Sequence, residues 1–516
     1  MSRPARAVMV CGTTSGAGKS LLATALARWY ARQGLKVAPF KAQNMSNNAR
    51  VVDGGEMGSA QYFQALAARC TPDVRMNPVL LKPEKDTHSQ VILLGQRRDD
   101  LSALEWHARA TQLWPVVQRC LEELRATHDV VVIEGAGSPA EINLAATDIV
   151  NMRVAEAAGA ATLIVSDIDR GGAFAHLYGT YQLLEPRHRA LVRGFVLNKF
   201  RGDASLLEPG PRMLEQLTGV PTLAVLPMWR EHGLPEEDGV FDPGAAAIRG
   251  VPAGATQAHG GASPTSGGSP TGGAGLAAAI VAYPYISNLD EFTPLRRVPG
   301  LTLRWARDSA ALAAADLLIL PGSKSVAADA AWIRSRGMDA AIAAHIAAGK
   351  PALAICGGLQ ILGAEIRDPL GLEGGGPGLG LLPYSTELQG QKRYRRKRQS
   401  LAGTRGFWAA LDGIEFDAYE IRHGDTIAHG AESGPRPPPA DGGGDAPLRS
   451  VLPDRCGWQQ GGTLAIYTHG LFESSAVMHA LFGVRVPTLD DTLEGLADYV
   501  GRHFAEGTLA ALLQPD

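Results

Sequence analysis

Two short segments of this chain hold residue types able to do covalent chemistry. The first is GTTSGAGKS, Gly12–Ser20, set between an apolar run and an apolar helical pattern. There Gly16 and Gly18 let backbone N–H groups face phosphate oxygens, and the start of a helix adds a favourable dipole. Lys19 supplies a point charge for β/γ phosphates, and Ser20 a hydroxyl for Mg²⁺. The spacing departs from the strict GxxxxGK[ST] pattern, since position 13 is Thr and the leading glycine, Gly12, comes one place early. The chemistry this predicts is ATP use. Acids that follow strands are candidate helpers for the metal: Glu134 after VVVI, and Asp53 in VVDGGEMGSAQ. A third strand end, SDIDRGGAFAHLYGT, places Asp167, Asp169 and Arg170 where open α/β sheets bind ligands.

The second segment is PALAICGGLQILG, a strand running into Cys356, then Gly357-Gly358, then a helix. This is the form of a nucleophile elbow, in which glycines permit a tight turn that projects a thiol and a helix start favours the thiolate. A thiol nucleophile also needs a base. TLAIYTHGLFES supplies His469 at a later strand end. Gly322, in LLILPGSKS, together with Gly357 is suited to present backbone N–H groups to an oxyanion. The other four cysteines, Cys11, Cys70, Cys120 and Cys456, read as small buried hydrophobes.

The two segments combine into one reaction. A phosphate loop can convert a carboxylate into an acyl phosphate. A Cys–His pair with an oxyanion hole can release ammonia from a side-chain amide through a thioester. Together they predict ATP-dependent amidation with glutamine as nitrogen donor. Only unprotonated ammonia carries the attacking lone pair, so the two sites are expected to face one another across a water-restricted path.

The elements that must position these residues read as α/β. Short apolar runs (Ala7–Val10, Val37–Phe40, Val130–Ile133, Thr162–Val165, Gly194–Leu197, Thr222–Leu226) alternate with helical stretches such as Ser20–Arg32 and Tyr62–Ala68. Such strands, apolar on both faces, predict a parallel sheet covered by helices, here of P-loop NTPase type. The pattern returns in Ala278–Ala282, Leu301–Trp305, Leu317–Leu320, Ala352–Ile355 and Thr463–Tyr467, with a helix over Val326–Ala348. The segment 251–275, rich in Gly, Ala and Pro and without charge, predicts a flexible linker. The expected boundaries are 1–245, a linker over 246–275, and 276–516 with a disordered insertion at 429–447.

Composition narrows the classes. Over 516 residues, Lys+Arg 49 against Asp+Glu 52 leaves a formal charge of −3, without the basic excess of a nucleic-acid binder. The run KRYRRKR, Lys392–Arg398, reads as a solvated segment. No apolar run reaches the ~18 residues of a membrane span. Five dispersed cysteines without a CxxC pair point to a reducing cytoplasm.

Longer segments carry a resemblance. QNMSNNARVVDGGEMGSAQ, MNPVLLKP, SDIDRGGAFAHLYGT, GFVLNKFRGD and HGLPEED, with PGSKS, AICGGLQILG and YTHGLFES, resemble the cobyric acid synthase family of adenosylcobalamin biosynthesis. The resemblance implies a dethiobiotin-synthetase-like ATP domain followed by a class I, flavodoxin-like glutamine amidotransferase domain. It implies amidation of the b, d, e and g carboxylates of a corrinoid small molecule, with ATP, Mg²⁺ and glutamine, in a chain that binds neither nucleic acid nor membrane and is compatible with a homo-oligomer. It makes Cys356 the nucleophile and His469 the base, adds Asn198 to the ATP site, and places Asn44 with Asp167, Asp169 and Arg170 toward the corrinoid. His469-Gly470-Leu471 stands where many class I amidotransferases have His-x-Glu, so a dyad or a substitute orienting group is expected. Two other readings stand beside it: cobyrinic acid a,c-diamide synthase, which amidates other carboxylates, and a partitioning-type P-loop ATPase with an inactive amidotransferase module.

Overall fold

The structure, a computed structural model, describes residues 4–85, 88–235, 248–249, 275–429 and 447–514. It divides into two compact units, Met1–Glu237 with Pro487–Asp516, and Asp238–Val486.

In the first unit, the six apolar runs form one six-stranded sheet, as the sequence predicts. Its order is Thr222–Pro227, Val192–Phe200, Ala161–Asp167, Arg6–Gly12, Val130–Glu134, Val37–Phe40. Every pairing is parallel. Val8, Val10, Val131, Ile133, Leu163 and Val165 are fully buried, which is why their alternation is lost to a continuous apolar run. The helix Lys19–Arg32 covers one face through Leu22, Ala25 and Leu26.

One boundary differs from the expectation. The last segment belongs to the first unit, not to the amidotransferase half. Its helix Leu489–His503 opens with a capping box between Thr488 and Asp491 and runs along Lys19–Arg32. Buried Arg28 donates to Glu494 (2.7 Å) and Asp490 (2.8 Å), Tyr30 Oη donates to the Leu509 carbonyl (2.8 Å), and Tyr499 Oη to that of Pro227 (2.5 Å). Leu493, Leu496 and Val500 join the core of that unit.

The second unit is built on an eight-stranded sheet. Five strands run parallel in the order Leu301–Ala306, Leu276–Val281, Leu317–Leu320, Ala352–Ile355, Thr463–Ile466, and Gly457–Gln460 and Arg449–Leu452 extend it antiparallel. The predicted helix Val326–Ala348 is two, Val326–Ser335 and Met338–Ala347, because Gly337 takes a left-handed conformation between them. Ile248–Arg249, inside the expected linker, pair with the edge strand Leu301–Ala306; the rest of that segment up to residue 274, and residues 430–446 of the expected insertion, lie outside the described residues. Lys392–Arg398 lies within the strand Tyr384–Ser400, paired with Glu415–Ala428.

If the C-terminal helix completes the first core, Leu496→Ala will destabilise that unit by about 2–5 kcal/mol, the usual range for a buried leucine truncation. ATP-dependent activity should then be lost at lower urea than in the parent, with the urea midpoint of glutamine hydrolysis unmoved; the reverse order would assign the helix to the second unit.

Candidate active sites

The phosphate loop leaves the central strand Arg6–Gly12 at its carboxyl end and feeds the helix Lys19–Arg32. Gly16 and Gly18 both have positive φ, 73° and 99°. At Gly18 a Cβ would lie 2.0 Å from Asn198 Nδ2, and Asn198 donates to the Ala17 carbonyl at 2.9 Å. A strand end 181 residues away therefore holds the loop's shape. Lys19 curls back over the loop, its ammonium donating to the carbonyls of Thr14 (3.1 Å) and Gly137 (3.2 Å).

Glu134 ends the neighbouring strand and is fully buried. It accepts from Ser20 Oγ at 2.8 Å and from Lys41 Nζ at 3.0 Å, with Gln64 on its second oxygen. Burial opposes its charge, but Lys41, Ser20 and Gln64 more than offset that, and its pKa is lowered. A hydroxyl in the first turn of the helix and an ionised carboxylate at the neighbouring strand end form a hard-oxygen donor pair suited to Mg²⁺ beside a nucleotide. Asp53, expected with them, stands exposed in the turn between Ala49–Val52 and Gly55–Gly58.

The other predicted residues fall into two groups. Asp167 is buried and pairs with Lys199 (3.0 Å), whose ammonium also donates to the Gly16 carbonyl (2.7 Å). Asp169 accepts from Arg201 Nε at 2.6 Å, and Arg170 is exposed with its nearest guanidinium nitrogen 3.6 Å from Asp167. These charges sit at the phosphate-loop end of the sheet, and Lys199 and Arg201 were missed in the sequence. Asn44 instead is buried and donates to Gln61 Oε1 at 3.0 Å, bracing the segment it belongs to.

In the second unit Cys356 follows the strand Ala352–Ile355 with φ 51° and ψ −107°, a strained conformation for a residue with a side chain. The two glycines after it are required by close approach. A Cβ at Gly357 would lie 2.5 Å from the Ser323 nitrogen, and at Gly358 2.1 Å from the Leu320 carbonyl oxygen. The elbow is thereby wedged under the Gly322–Ser325 loop. That loop is held by Asp329, which accepts from Ser323 Oγ and from the Tyr285 nitrogen (3.1 Å), and whose pKa burial raises to about 7.

His469 follows Thr463–Ile466, one strand from the elbow. It is 1% exposed, feels the charge of Cys356, and stacks on Tyr419 with ring centroids 5.1 Å apart, while the Cys356 thiol donates to the Ile421 carbonyl at 3.6 Å. Its Nδ1 lies 2.9 Å from Glu291 Oε1, and the other oxygen of that carboxylate accepts from the Gly470 nitrogen at 3.3 Å. Burial alone would hold the imidazole neutral, but Glu291 and Cys356 outweigh it and push its pKa up to about 10. Burial pushes the Glu291 carboxyl up, with His469 pulling the other way. The carboxylate that contacts His469 is thus Glu291, where a dyad or a substitute orienting group is expected. Of the remaining cysteines, Cys120 is buried, Cys11 is buried and donates to Asn151 Oδ1 (3.9 Å), half-buried Cys70 donates to the Ala65 carbonyl (3.5 Å), and buried Cys456 donates to a carboxylate, Glu420, at 2.7 Å.

Known proteins match both units. Residues 277–477 match the CobB/CobQ-like glutamine amidotransferase domain family, and residues 8–236 the CobQ/CobB/MinD/ParA nucleotide binding domain family. The chain is 59% identical over 529 residues to the cobyric acid synthase of Leptothrix cholodnii, covering 99% of this chain and 98% of that relative. The chain belongs to the cobyric acid synthase family. It is also 59% identical to the cobyric acid synthase of Methylibium petroleiphilum and 57% to that of a Polaromonas species, covering 99% of this chain in each case and 97% and 98% of those relatives. Membership makes it a glutamine-hydrolysing carbon–nitrogen ligase that uses ATP, and its dependence on ATP, Mg²⁺ and glutamine is that of the family. No described helix is long and apolar enough to cross a membrane.

Replacing Glu134 by Gln removes the charge facing Ser20. Mg²⁺-ATP binding should weaken by about 10–100-fold, the range for groups that orient a metal site; titration calorimetry showing unchanged affinity would remove Glu134 from that site.

Proposed function

We propose that this chain amidates the b, d, e and g carboxylates of adenosylcobyrinic acid a,c-diamide, using one ATP and one glutamine for each amide. The buried Cys356–His469 pair, in one chain with a phosphate loop whose Ser20 meets Glu134, is the observation that carries this reading.

In the second unit the Cys356 thiolate attacks the amide carbon of glutamine, and the oxygen's developing charge is met by the N–H groups of Gly322 and Gly357. As the C–N bond breaks, His469 gives its proton to the leaving nitrogen, and ammonia departs from a thioester. Water, deprotonated by His469, then releases glutamate and restores the thiol. The strained Cys356 backbone aims the sulfur at this carbon, and the Tyr419 ring keeps the imidazole plane fixed.

In the first unit Gly16, Gly18 and Lys19 hold phosphates, Asn198 shapes the loop around them, and Ser20 with Glu134 would hold Mg²⁺. Bound ATP supplies the phosphoryl group that activates a substrate carboxylate. On this reading Asp167, Asp169 and Arg170, at the phosphate-loop end of the sheet with Lys199, are the groups that meet the corrinoid, which their position beside the loop supports. Asn44 acts from further back, by fixing its own segment. On this reading the reaction runs in the cytoplasm, with the corrinoid as the partner molecule.

The test is mass spectrometry of adenosylcobyrinic acid a,c-diamide incubated with the enzyme, Mg²⁺-ATP and glutamine. Four successive losses of about one mass unit, OH replaced by NH₂, are expected. Cys356→Ala should give the same series only with free ammonia at high pH, and Lys19→Ala should give none with either nitrogen source. A substrate left unchanged by the parent enzyme, or glutamine-driven products from Cys356→Ala, would refute the reading.

A further inference from the structure

The thiol chemistry proposed above needs an imidazole in one protonation state and one orientation, and the residue two places after His469 is Leu471, which can supply neither. We infer that Glu291, reaching His469 from 178 residues upstream, is the positioning residue of the glutamine site and fixes the imidazole so that Nε2 faces the Cys356 thiol.

The geometry argues this from both partners. Glu291 is fully buried and His469 is 1% exposed, so water does not compete for their hydrogen bond. One carboxylate oxygen takes Nδ1 at 2.9 Å and the other takes the Gly470 nitrogen at 3.3 Å. The carboxylate thus grips the imidazole and the backbone of the next residue together. With Nδ1 occupied, Nε2 is the nitrogen left for sulfur.

The element bearing Glu291 is itself anchored. It belongs to the 3₁₀ segment Leu289–Arg297, entered through Asn288 in a left-handed conformation. Its neighbour Phe292 packs on Phe472, three residues beyond His469, with ring centroids 6.3 Å apart, and on Trp305. Leu295 is fully buried. The acid and the base are therefore tied by side chains on either side of their hydrogen bond. Asp329, another buried acid near the elbow, is committed to Ser323 and Tyr285.

The proton count follows. Glu291 accepts Nδ1–H, while the Nε2 proton goes to the nitrogen leaving glutamine and is replaced from water during thioester hydrolysis. The titratable groups around the imidazole are Glu291 and Asp290 on the 3₁₀ segment, Cys356 at the elbow, Tyr419 on Glu415–Ala428, and Tyr283 and Glu473 nearby. Of these, Glu291 is the carboxylate that touches the ring.

The inference rests on the Cys356 reading, and the experiment separates the two. Full-length Glu291→Gln, Glu291→Asp and Cys356→Ala are compared with the parent for glutamine hydrolysis across pH, and for amidation driven by ammonium chloride as a check on folding. Glu291→Gln should lower kcat for hydrolysis roughly 10²–10⁴-fold, the span of a general acid/base contribution, with a smaller change in KM. The basic limb of its profile should move to lower pH, because the charge that holds the imidazole proton is gone. Glu291→Asp should recover part of the rate, and ammonia-driven amidation should persist. A Gln variant with parental kcat and an unmoved basic limb overturns the inference. If that variant also loses ammonia-driven amidation, the Asp variant decides: a lowered rate with a displaced limb supports the role, and a parental profile overturns it. Hydrolysis that survives Cys356→Ala instead refutes the thiol reading itself.

Discussion

An ionised group taken out of water costs several kcal/mol unless charge and hydrogen bonds surround it. Both units bury such a group beside the carboxyl end of a parallel strand, Glu134 on the strand itself and Glu291 from a 3₁₀ segment against the residue His469 that follows one. Glu134 is wholly buried and meets Ser20, Lys41 and Gln64; Glu291 is wholly buried and meets His469 and the Gly470 backbone. Parallel order makes this arrangement available. Strand ends from distant parts of the chain emerge side by side, so a hydroxyl, an ammonium and a carboxylate can converge without a long loop.

Around these charges the backbone is bent rather than relaxed. Positive φ at Gly16 and Gly18 shapes the phosphate loop, and a side-chain-bearing residue, Cys356, adopts positive φ at the elbow. Gly357 and Gly358 make that strain tolerable, since backbone atoms of Ser323 and Leu320 occupy the space any larger side chain would need. The surrounding sheet is deeply apolar, with Leu318, Ile319, Leu353 and Ile466 fully buried, and holds the elbow against relaxation.

What the sequence revealed followed from locality. The six apolar strands of the first sheet, the glycine loop before Lys19 and the Cys356-Gly357-Gly358 turn each declare themselves within about ten residues, and each was found where expected. The position of Glu134 was legible because it ends its own strand, straight after four apolar residues. What was hidden depends on contacts made far along the chain. Glu291 reaches His469 across 178 residues, and nothing in LDEFTPLRR marks one acid over the other. The helix Leu489–His503 carries an apolar stripe that would fit either core, so its return to Arg28 and Tyr30 was not readable from its own pattern. Asp53 shows how a hairpin turn reads as a strand end when only its neighbours are seen, since the structure sets it exposed between two short antiparallel strands.

The central claim is that nitrogen freed at Cys356 becomes the new amide nitrogen on a carboxylate activated with ATP. Glutamine labelled with ¹⁵N in its side-chain amide tests this directly, with unlabelled ammonium present in solution during turnover. The account predicts ¹⁵N in every amide formed, in step with the ATP consumed and glutamate released. Product amides carrying the solution's nitrogen while labelled glutamine is left intact would contradict it.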